Sequence, residues 1–581
     1  MKTAISGLVA FCVATVAAAL AGTLAGGLTP LLAWTSLAWG ATAGSLAWGS
    51  MHKPFPGTPV RGWVAWSLIA VFTLFALRAF CWLVFIKDGE IAFLSPNNLG
   101  DLSLHLTFIR NFANGAPLWP ENPIFSAAPL HYPFGVDLFN SLLTLAGLDE
   151  LRGLVWVGLL GAFATGVMLW RWGGAFAMAG FLFNGGVAGF ALFFTGKLAD
   201  YQAELDWKSI PLALFVTQRG LLYALPAGLA LLWSWRERLL AGRRGLPVWI
   251  EWLLYATLPL FHLHTFIFLS LMLGMWMLWP GANLREIVRL GLASLIPATV
   301  LIWQLTGGFH SGTAMHLTPG WMSEIEAPLY FWLNNFGLFP VVAAVTLGWL
   351  WYRRQCREAA LELAIVLPAL LIFRMACFVM FAVWAWDNTK ILIWGYLCVL
   401  PATGAVLMKA PPLIRTAICL LLFGSGAISL VGGLDASHTG FTLARCEELD
   451  SLERPLKKIP VSATFAAMPT YNHPLLLLGR KVVAGYEGHL FSHGIDYKPR
   501  FDALETLLRG KPGWQLRARQ LGVDYLYWGP REREKYGGAT PWKTVAPVVA
   551  EGTWGTIYDL RKLAIPQNDA ATDSGNRPSV Q

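Results

Sequence analysis

The sequence predicts an all-α polytopic membrane protein with about 13 transmembrane helices, followed by a small α/β domain at its C-terminal end. Of the 581 residues, 56% are hydrophobic and only 13% are charged, and the mean hydropathy is +0.52. A soluble protein needs about 25% charged residues, so this composition excludes an ordinary soluble enzyme, a disordered chain and a disulfide scaffold. Apolar runs of about twenty residues, each long enough to cross about 30 Å of hydrocarbon, recur along the chain. After about residue 433, charged residues, proline and glycine return.

The membrane spans are expected in apolar runs near residues 4–25, 28–50, 62–86, 154–170, 174–195, 211–234, 247–261, 264–281, 287–306, 329–351, 359–383, 391–408 and 413–432. Lysine and arginine are concentrated in every second connection, and the positive-inside rule places those connections in the cytoplasm. Residues 87–153, 196–210, 262–264, 307–328, 384–390 and everything after 433 then face outward. The first run could also be a cleaved signal peptide, and charge counting leaves that alternative open.

Four regions follow from this pattern. Residues 1–61 form an N-terminal transmembrane hairpin, and residues 62–433 form a transmembrane core with a large first outward loop at 87–153. Residues 434–565 are expected to be an outward-facing α/β domain, because helical patterning at 499–521 precedes an apolar, β-like run at 523–528. Residues 566–581 are rich in polar residues and proline and are expected to be disordered.

The net charge of +9 does not indicate nucleic-acid binding, because the cations lie in short clusters between apolar runs and form no basic face with interleaved aromatic residues. The seven cysteines lie mostly inside apolar runs, without a CxxC pair or a His/Cys ligand spacing. They are expected to act as small apolar packing residues.

Polar residues collect at the outward ends of the spans. In the first outward loop, Asp101 and His105 are four residues apart and share one face of a predicted helix that opens near Gly100. An apolar stripe through Leu102, Leu106, Ile109 and Ala113 predicts that this helix lies along the membrane surface. Asp101 could equally be a helix-start acid that stabilises the first turn, and Asp137 has the same structural alternative.

Later outward ends add further polar residues. Arg219 follows Gln218 about two turns into a span, where a charge costs free energy unless it reaches water or an anion. His262 and His264 flank a short outward turn, but a zinc site would need further ligands, so a metal is not predicted from them. Arg78 and Arg374 fall inside spans, and an internal ion pair is expected for each.

These features together resemble the GT-C superfamily of polytopic glycosyltransferases, which use polyprenyl-phosphate sugars. The segments that carry the resemblance are GDLSLH at 100–105, LHYPFG at 130–135, GVDYLY at 522–527 and GPRER at 529–533. Many members carry two nearby acids in the first loop. Here only Asp101 stands at that place, after Asn97 and Asn98, so a divalent metal is neither required nor excluded and no cofactor is assigned.

The resemblance implies an inverting glycosyltransferase that moves a sugar from a polyprenyl-phosphate donor to an acceptor hydroxyl on the extracytoplasmic side, with Asp101 as general base. It places the protein in a bacterial inner membrane, with the bilayer, the lipid-linked sugar and an acceptor of unknown class as partners, in cell-envelope metabolism. The predicted catalytic residues are Asp101 and His105, and the predicted donor-phosphate contacts are Arg219, Lys390 and His264. The predicted substrate-binding residues are Gln218, His131, Tyr132, Asp137, His262, Asn335, Asp387, Tyr486 and His489, and the polar residues Glu487, His493 and Tyr525 are further candidates in the C-terminal domain.

Two other functions stay open. A transporter or flippase of a lipid-linked or anionic substrate would explain intramembrane arginines, although such proteins tend to show inverted repeats and this chain shows no repeat. A non-catalytic assembly protein with the same fold would need the outward polar residues for stability alone.

Overall fold

A computed structural model describes residues 1–51, 59–95, 97–198, 205–309, 315–323, 327–435 and 440–563. Most of this part of the chain is helical, with a few small sheets. Seven of its helices are long and apolar enough to cross a membrane, or eight if a pair bent by 88° counts as one span. The seven segments are Lys2–Ala25, Trp63–Cys81, Glu150–Leu182, Leu284–Leu305, Arg357–Ala376, Ala385–Leu407 and Pro412–Gly433, and the bent pair is Pro328–Phe336 with Phe339–Tyr352.

Several predicted spans take other forms. The runs at 247–261 and 264–281 become the helices Val248–Phe261 and Leu263–Met277, of 14 and 15 residues, which at 1.5 Å per residue reach about 22 Å. The runs at 154–170 and 174–195 share the helix Glu150–Leu182, whose backbone breaks at Gly173 and Gly174. The number 13 therefore stays a prediction. The other helical segments of the membrane part are Pro30–Ser50, Gly135–Leu145, Ala188–Ala191, Leu192–Thr195, Ile210–Phe215, Leu221–Trp235 and Arg236–Leu240.

Loops that the sequence assigns to one side of the membrane meet in the structure. Arg238 is paired with both Glu251, at 2.5 Å, and Glu286, at 2.8 Å, and Arg236 is paired with Glu362. These pairs join the segment Arg236–Leu240 to the first turns of the helices that begin at Val248 and Leu284 and to the second turn of the helix that begins at Arg357. The other end of the helix Leu221–Trp235 begins just after Gln218, and Gln218 donates a hydrogen bond to Asp101 of the first outward loop.

The two intramembrane arginines do not form the expected ion pairs within the described part of the chain. Arg78 donates from Nε to the carbonyl of Leu434, at 3.2 Å, and from Nη2 to that of Asp435, at 3.3 Å. It therefore satisfies carbonyls at the end of the last long helix, where a cation is favourable. Arg374 lies 4.7 Å from the ring centre of Phe378, a cation–π contact.

Residues 440–563 contain a five-stranded mixed sheet, in the order Lys481–Val482, Thr464–Ala466, Tyr525–Trp528, Gly555–Asp559, Val548–Gly552. The helices beside it are Cys446–Leu456, Pro474–Leu477, Glu487–Ser492, Lys498–Leu508, Trp514–Gln520, Pro530–Tyr536 and Trp542–Val545. The predicted β-like run at 523–528 contains the strand Tyr525–Trp528, and the predicted helical stretch at 499–521 overlaps the helices Lys498–Leu508 and Trp514–Gln520. That residues 434–565 form an outward-facing α/β domain stays a prediction. Residues 566–581 lie outside the described residues.

Two smaller sheets attach loops to one another. Val84–Lys87, Glu90–Phe93 and Phe441–Arg445 form an antiparallel three-stranded sheet, so the start of the first outward loop pairs with the chain that follows the last long helix. His316–Leu317 pairs with Val379–Met380. We call residues 440–563 the C-terminal region below.

The helix Asn97–Ala113 departs from its prediction as a membrane-surface helix. Its apolar residues are buried, but so are Ser103, His105, Thr107 and Asn111, because the helix Gly135–Leu145 packs against it on one side and the C-terminal region on another. Asn111 donates to the carbonyl of Gly479 at 3.0 Å. Gly479 adopts a left-handed φ of 69°, and a Cβ there would lie 2.5 Å from the backbone of Asn111, so only glycine allows this close approach.

Candidate active site

A cavity of about 430 Å³ opens between the helix Asn97–Ala113, the chain before the helix Leu221–Trp235, the turn at 384–390 and the C-terminal region. Its volume falls within the usual range of small-molecule sites. The lining residues are Asp101, Leu104, Tyr132, Asp206, Lys208, Ala213, Thr217, Gln218, Met322, Trp384, Trp386, Asp387, Lys390, His489, Ser492 and His493. Both charged and aromatic side chains therefore surround one space.

Asp101 lies in the second turn of its helix and faces this cavity. The side-chain amide of Gln218 donates to its Oδ2 at 3.1 Å. Burial raises the pKa of Asp101 above its ordinary value, while the positive charges of His105 and Lys390 oppose that rise. The carboxylate is thus poised to accept a proton more readily than an exposed aspartate.

Lys390 supplies a cation to the same cavity. Its Nζ lies 3.1 Å from Oδ1 of Asp387, one helical turn away, and the two side chains are 13% and 15% exposed. The turn that carries them is fixed by Asn388, whose amide donates to the carbonyls of Ala376 and Val379 at 2.8 and 2.7 Å. Lys208 is a second cation in the lining, and burial lowers its pKa.

The C-terminal region contributes imidazoles from the short helix Glu487–Ser492 and the residue after it. Burial lowers the pKa of His489 to about 3 and that of His493 to about 4, so both rings are neutral at physiological pH. The ring of His493 lies 5.2 Å from that of Tyr132, centre to centre. These neutral rings offer hydrogen bonds to a substrate without adding charge.

Behind this wall lies a buried pair. The Nδ1–H of His105 donates to both carboxylate oxygens of Asp137, at 2.9 and 3.0 Å, and the side chains are 4% and 1% exposed. The charge of Asp137 also acts on Arg219. Arg219 is fully buried, and its Nη2 donates to the carbonyl of Leu154 at 2.7 Å. Neither Asp137 nor Arg219 lines the cavity.

The remaining predicted residues lie around the cavity without lining it. His262 caps the helix Leu263–Met277 by accepting from the backbone N–H of Thr265 at 3.2 Å. The charges of Lys390 and Asp387 act on His264, which places it close behind the turn at 384–390. Asn335 has a structural role, since its Oδ1 accepts from the backbone N–H groups of residues 206 and 207, at 2.8 and 2.9 Å.

Three further candidates point elsewhere. His131 is exposed and lies against Gly307, where an added Cβ would be 2.6 Å from its ring. Tyr486 is 39% exposed, and its ring packs 5.3 Å from that of His489. Tyr525 is buried in its strand against Phe465. None of the three lines the cavity.

Some lining residues were not singled out by the sequence. Trp386 donates from its indole to the carbonyl of Asp206 at 2.9 Å, which ties the turn at 384–390 to the chain around 206–208. Trp384 packs on Trp386, and Met322 and Ser492 complete the wall. In a chain with 29 tryptophans, nothing in the local sequence distinguishes these two from residues that anchor helices at the membrane surface.

No group of three or more histidine, cysteine, aspartate or glutamate side chains is arranged to hold a metal ion within the described ranges. Asp101 and Asp387 both face the cavity; the charges that act on Asp101 are those of His105, Lys390 and Asp387, and Asp387 is itself paired with Lys390.

No family model matches the chain, and no curated protein matches its sequence. Solved structures resemble its fold. A structure of the archaeal oligosaccharyltransferase AglB from Archaeoglobus fulgidus, in complex with an inhibitory peptide and a dolichol-phosphate, has a TM-score of 0.47 at 12% identity and covers 87% of this chain and 75% of that one. A second structure of the A. fulgidus oligosaccharyltransferase, a complex with Zn and sulfate, has a TM-score of 0.44 at 12% identity, covering 80% and 68%.

A structure of ArnT from Cupriavidus metallidurans bound to undecaprenyl phosphate has a TM-score of 0.42 at 15% identity, and the match covers 87% of this chain and 100% of the ArnT chain.

Proposed function

We propose that this protein is a membrane glycosyltransferase that moves a sugar from a polyprenyl phosphate to an acceptor hydroxyl, with the reaction in the cavity around Asp101. The observation that supports this most is the meeting of Asp101 and Lys390 in one cavity, although 288 intervening positions separate them in the sequence. A carboxylate base and a fixed cation are the two groups that such a transfer needs.

In the proposed reaction, Asp101 takes the proton of the acceptor hydroxyl as its oxygen attacks the anomeric carbon. The bond from that carbon to the phosphate oxygen breaks, and the polyprenyl phosphate leaves with the electron pair. Attack opposite the leaving group inverts the anomeric configuration. Burial favours this role, because a carboxylate with a raised pKa is a stronger base than an exposed one.

Lys390 is proposed to hold the leaving phosphate, with Lys208 as a second cation in the same lining. The pairing of Lys390 with Asp387 keeps the ammonium in place before the donor arrives. His264 lies outside the lining and is proposed to act through Lys390 and Asp387. Arg219 is likewise proposed to act at a distance, by balancing the charge of Asp137 and so fixing the orientation of His105.

The position of the cavity suits a lipid-linked donor. It lies where apolar helices such as Ala385–Leu407 begin, so a prenyl tail can stay in hydrocarbon while its phosphate meets Lys390. We further propose that the C-terminal region forms a domain that supplies the acceptor-facing wall through His489 and His493. Following the charge of the loops, this side of the membrane is extracytoplasmic.

The test is turnover of a defined donor by the purified full-length protein in detergent. Undecaprenyl-phosphate sugars are offered singly with an envelope extract from a strain lacking the protein, and released undecaprenyl phosphate is measured by mass spectrometry. Asp101→Asn should abolish release while keeping normal yield, because the amide preserves shape but cannot accept the proton. Lys390→Ala should chiefly weaken the use of the donor.

Asp496→Asn is the matched control, since Asp496 is exposed in the C-terminal region and does not line the cavity. Release by Asp101→Asn at the rate of the control would contradict the general-base role. Passage of intact lipid-linked sugar across proteoliposomes, with no release of the lipid phosphate, would instead favour the transporter or flippase.

A further inference from the structure

A second cavity, of about 590 Å³, lies between the three-stranded sheet and the C-terminal five-stranded sheet. It shares no lining residue with the cavity around Asp101. Its lining includes backbone and side chains of Thr442–Arg445, residues 472–474, residues 530–532 and the aromatic pair Tyr527 and Trp554. We call it the inter-sheet cavity.

The floor of the inter-sheet cavity is held by buried polar contacts. His473 Nε2 lies 3.0 Å from Oε1 of Glu532, and both side chains are 1% exposed. The other oxygen of Glu532 accepts from the backbone N–H of Gly529 at 3.0 Å. Because His473 and the backbone of Gly529 already bind the carboxylate of Glu532, this part of the cavity is fixed in place, and Glu532 is not the group that contacts a ligand.

The rim offers hydrogen-bonding groups of both kinds. Arg531 donates from Nη1 to the backbone and side-chain oxygens of Asn472, at 3.1 and 2.8 Å, which fixes the plane of its guanidinium. On the facing helix, Glu447 and Glu448 also line the cavity. Within the described part of the chain, no residue donates a hydrogen bond to the carboxylate of either glutamate.

Tyr527 and Trp554 pack against each other behind this rim, with ring centres 5.8 Å apart and planes within 19°, and they are only 1% and 3% exposed. The phenol of Tyr527 donates to the carbonyl of Trp554 at 2.8 Å, which locks the pair. They therefore close the back of the cavity, and a ligand meets the rim groups that donate and accept hydrogen bonds, which suits a molecule with many hydroxyls.

We propose that the inter-sheet cavity binds a saccharide, neutral or cationic. A hydroxyl both donates and accepts, so neighbouring hydroxyls can satisfy the carboxylates of Glu447 and Glu448 and the guanidinium of Arg531 at once. A phosphate or an acidic sugar is disfavoured, because the lining carries four glutamates against two arginines.

The experiment measures binding to the purified full-length protein by isothermal titration calorimetry with defined trisaccharides. The probes are neutral chitotriose, its cationic deacetylated form and anionic trigalacturonic acid. The first or second should bind and the third should not. Glu447→Gln with Glu448→Gln should weaken that binding at least about tenfold, the typical effect of losing a hydrogen bond to a charged group.

Glu534→Gln is the matched control, because Glu534 is exposed and lies outside the lining. Asp101→Asn should bind as the wild type does, so this result is independent of the proposed transfer reaction. Arg531→Gln gives a second variant in case the double substitution fails to fold. The proposal is overturned if no probe binds in the millimolar range, if trigalacturonic acid binds best, or if the rim variants bind like the control.

Discussion

The buried pair of His105 and Asp137 is expected to stabilise the fold beside the reaction cavity. Both side chains are less than 5% exposed, and two contacts of 2.9 and 3.0 Å join them. Asp137→Ala removes the only described acceptor of His105 Nδ1 and leaves the charge of Arg219 without its counter-charge. Breaking a buried pair in this way costs about 3–5 kcal/mol. Asp137→Asn keeps an acceptor oxygen and should cost less, about 1–2 kcal/mol.

The free energy of unfolding is measured by urea titration in detergent micelles, with tryptophan fluorescence as the signal. The double-mutant cycle compares the wild type, the single variants His105→Ala and Asp137→Ala, and the double variant that carries both substitutions. Because either single substitution already destroys the contact, the double variant should lose less stability than the sum, by about 1–3 kcal/mol. Additive losses, within about 0.5 kcal/mol, would mean that the two side chains do not act as a pair.

Three further outcomes are expected. The pKa of Asp101 is raised in the folded state, so the native state binds more protons than the unfolded state between the two pKa values, and stability falls as pH rises through that window. Asp101→Asn should therefore melt at a higher temperature than the wild type in neutral buffer and lose that advantage in acid. An advantage that grows in acid would contradict this. Gly186→Ala should lower the melting temperature, because the added Cβ would lie 1.8 Å from the carbonyl oxygen of Asn334. Gly274→Ala should not lower it, because no atom lies within 4 Å of its added Cβ. Equal effects of the two substitutions would refute this packing. Asn111→Ala, which removes a buried hydrogen bond to the C-terminal region, should speed limited proteolysis of that region, and an unchanged cleavage rate would show that the contact is dispensable.

The sequence predicts the helical membrane part well because a run of apolar residues has few alternatives in hydrocarbon. It fails where length and composition do not decide the outcome. Gly173 and Gly174 sit inside a continuous apolar run, yet their backbone angles break the helix Glu150–Leu182. The helix at 97–113 looks amphipathic, but the helix Gly135–Leu145 and a region more than 300 residues later pack against it.

Among the predicted site residues, Asp101, Gln218, Asp387 and Lys390 meet in the cavity, together with Tyr132, His489 and His493. All seven are polar residues at the outward ends of the predicted spans or in outward segments, the level at which the sequence placed a site. Arg219 satisfies the same description but points into the protein. The position of a residue along a predicted span indicates how deep it lies in the membrane. The direction of its side chain depends on packing between distant segments, which the sequence alone does not reveal.

The most direct test of the central proposal is a cryo-electron microscopy map of the full-length protein incubated with undecaprenyl phosphate. We expect density for the phosphate in the cavity between Asp101 and Lys390, with the lipid tail leaving towards the apolar helices. Phosphate density at another place on the protein, with this cavity free of lipid, would contradict it.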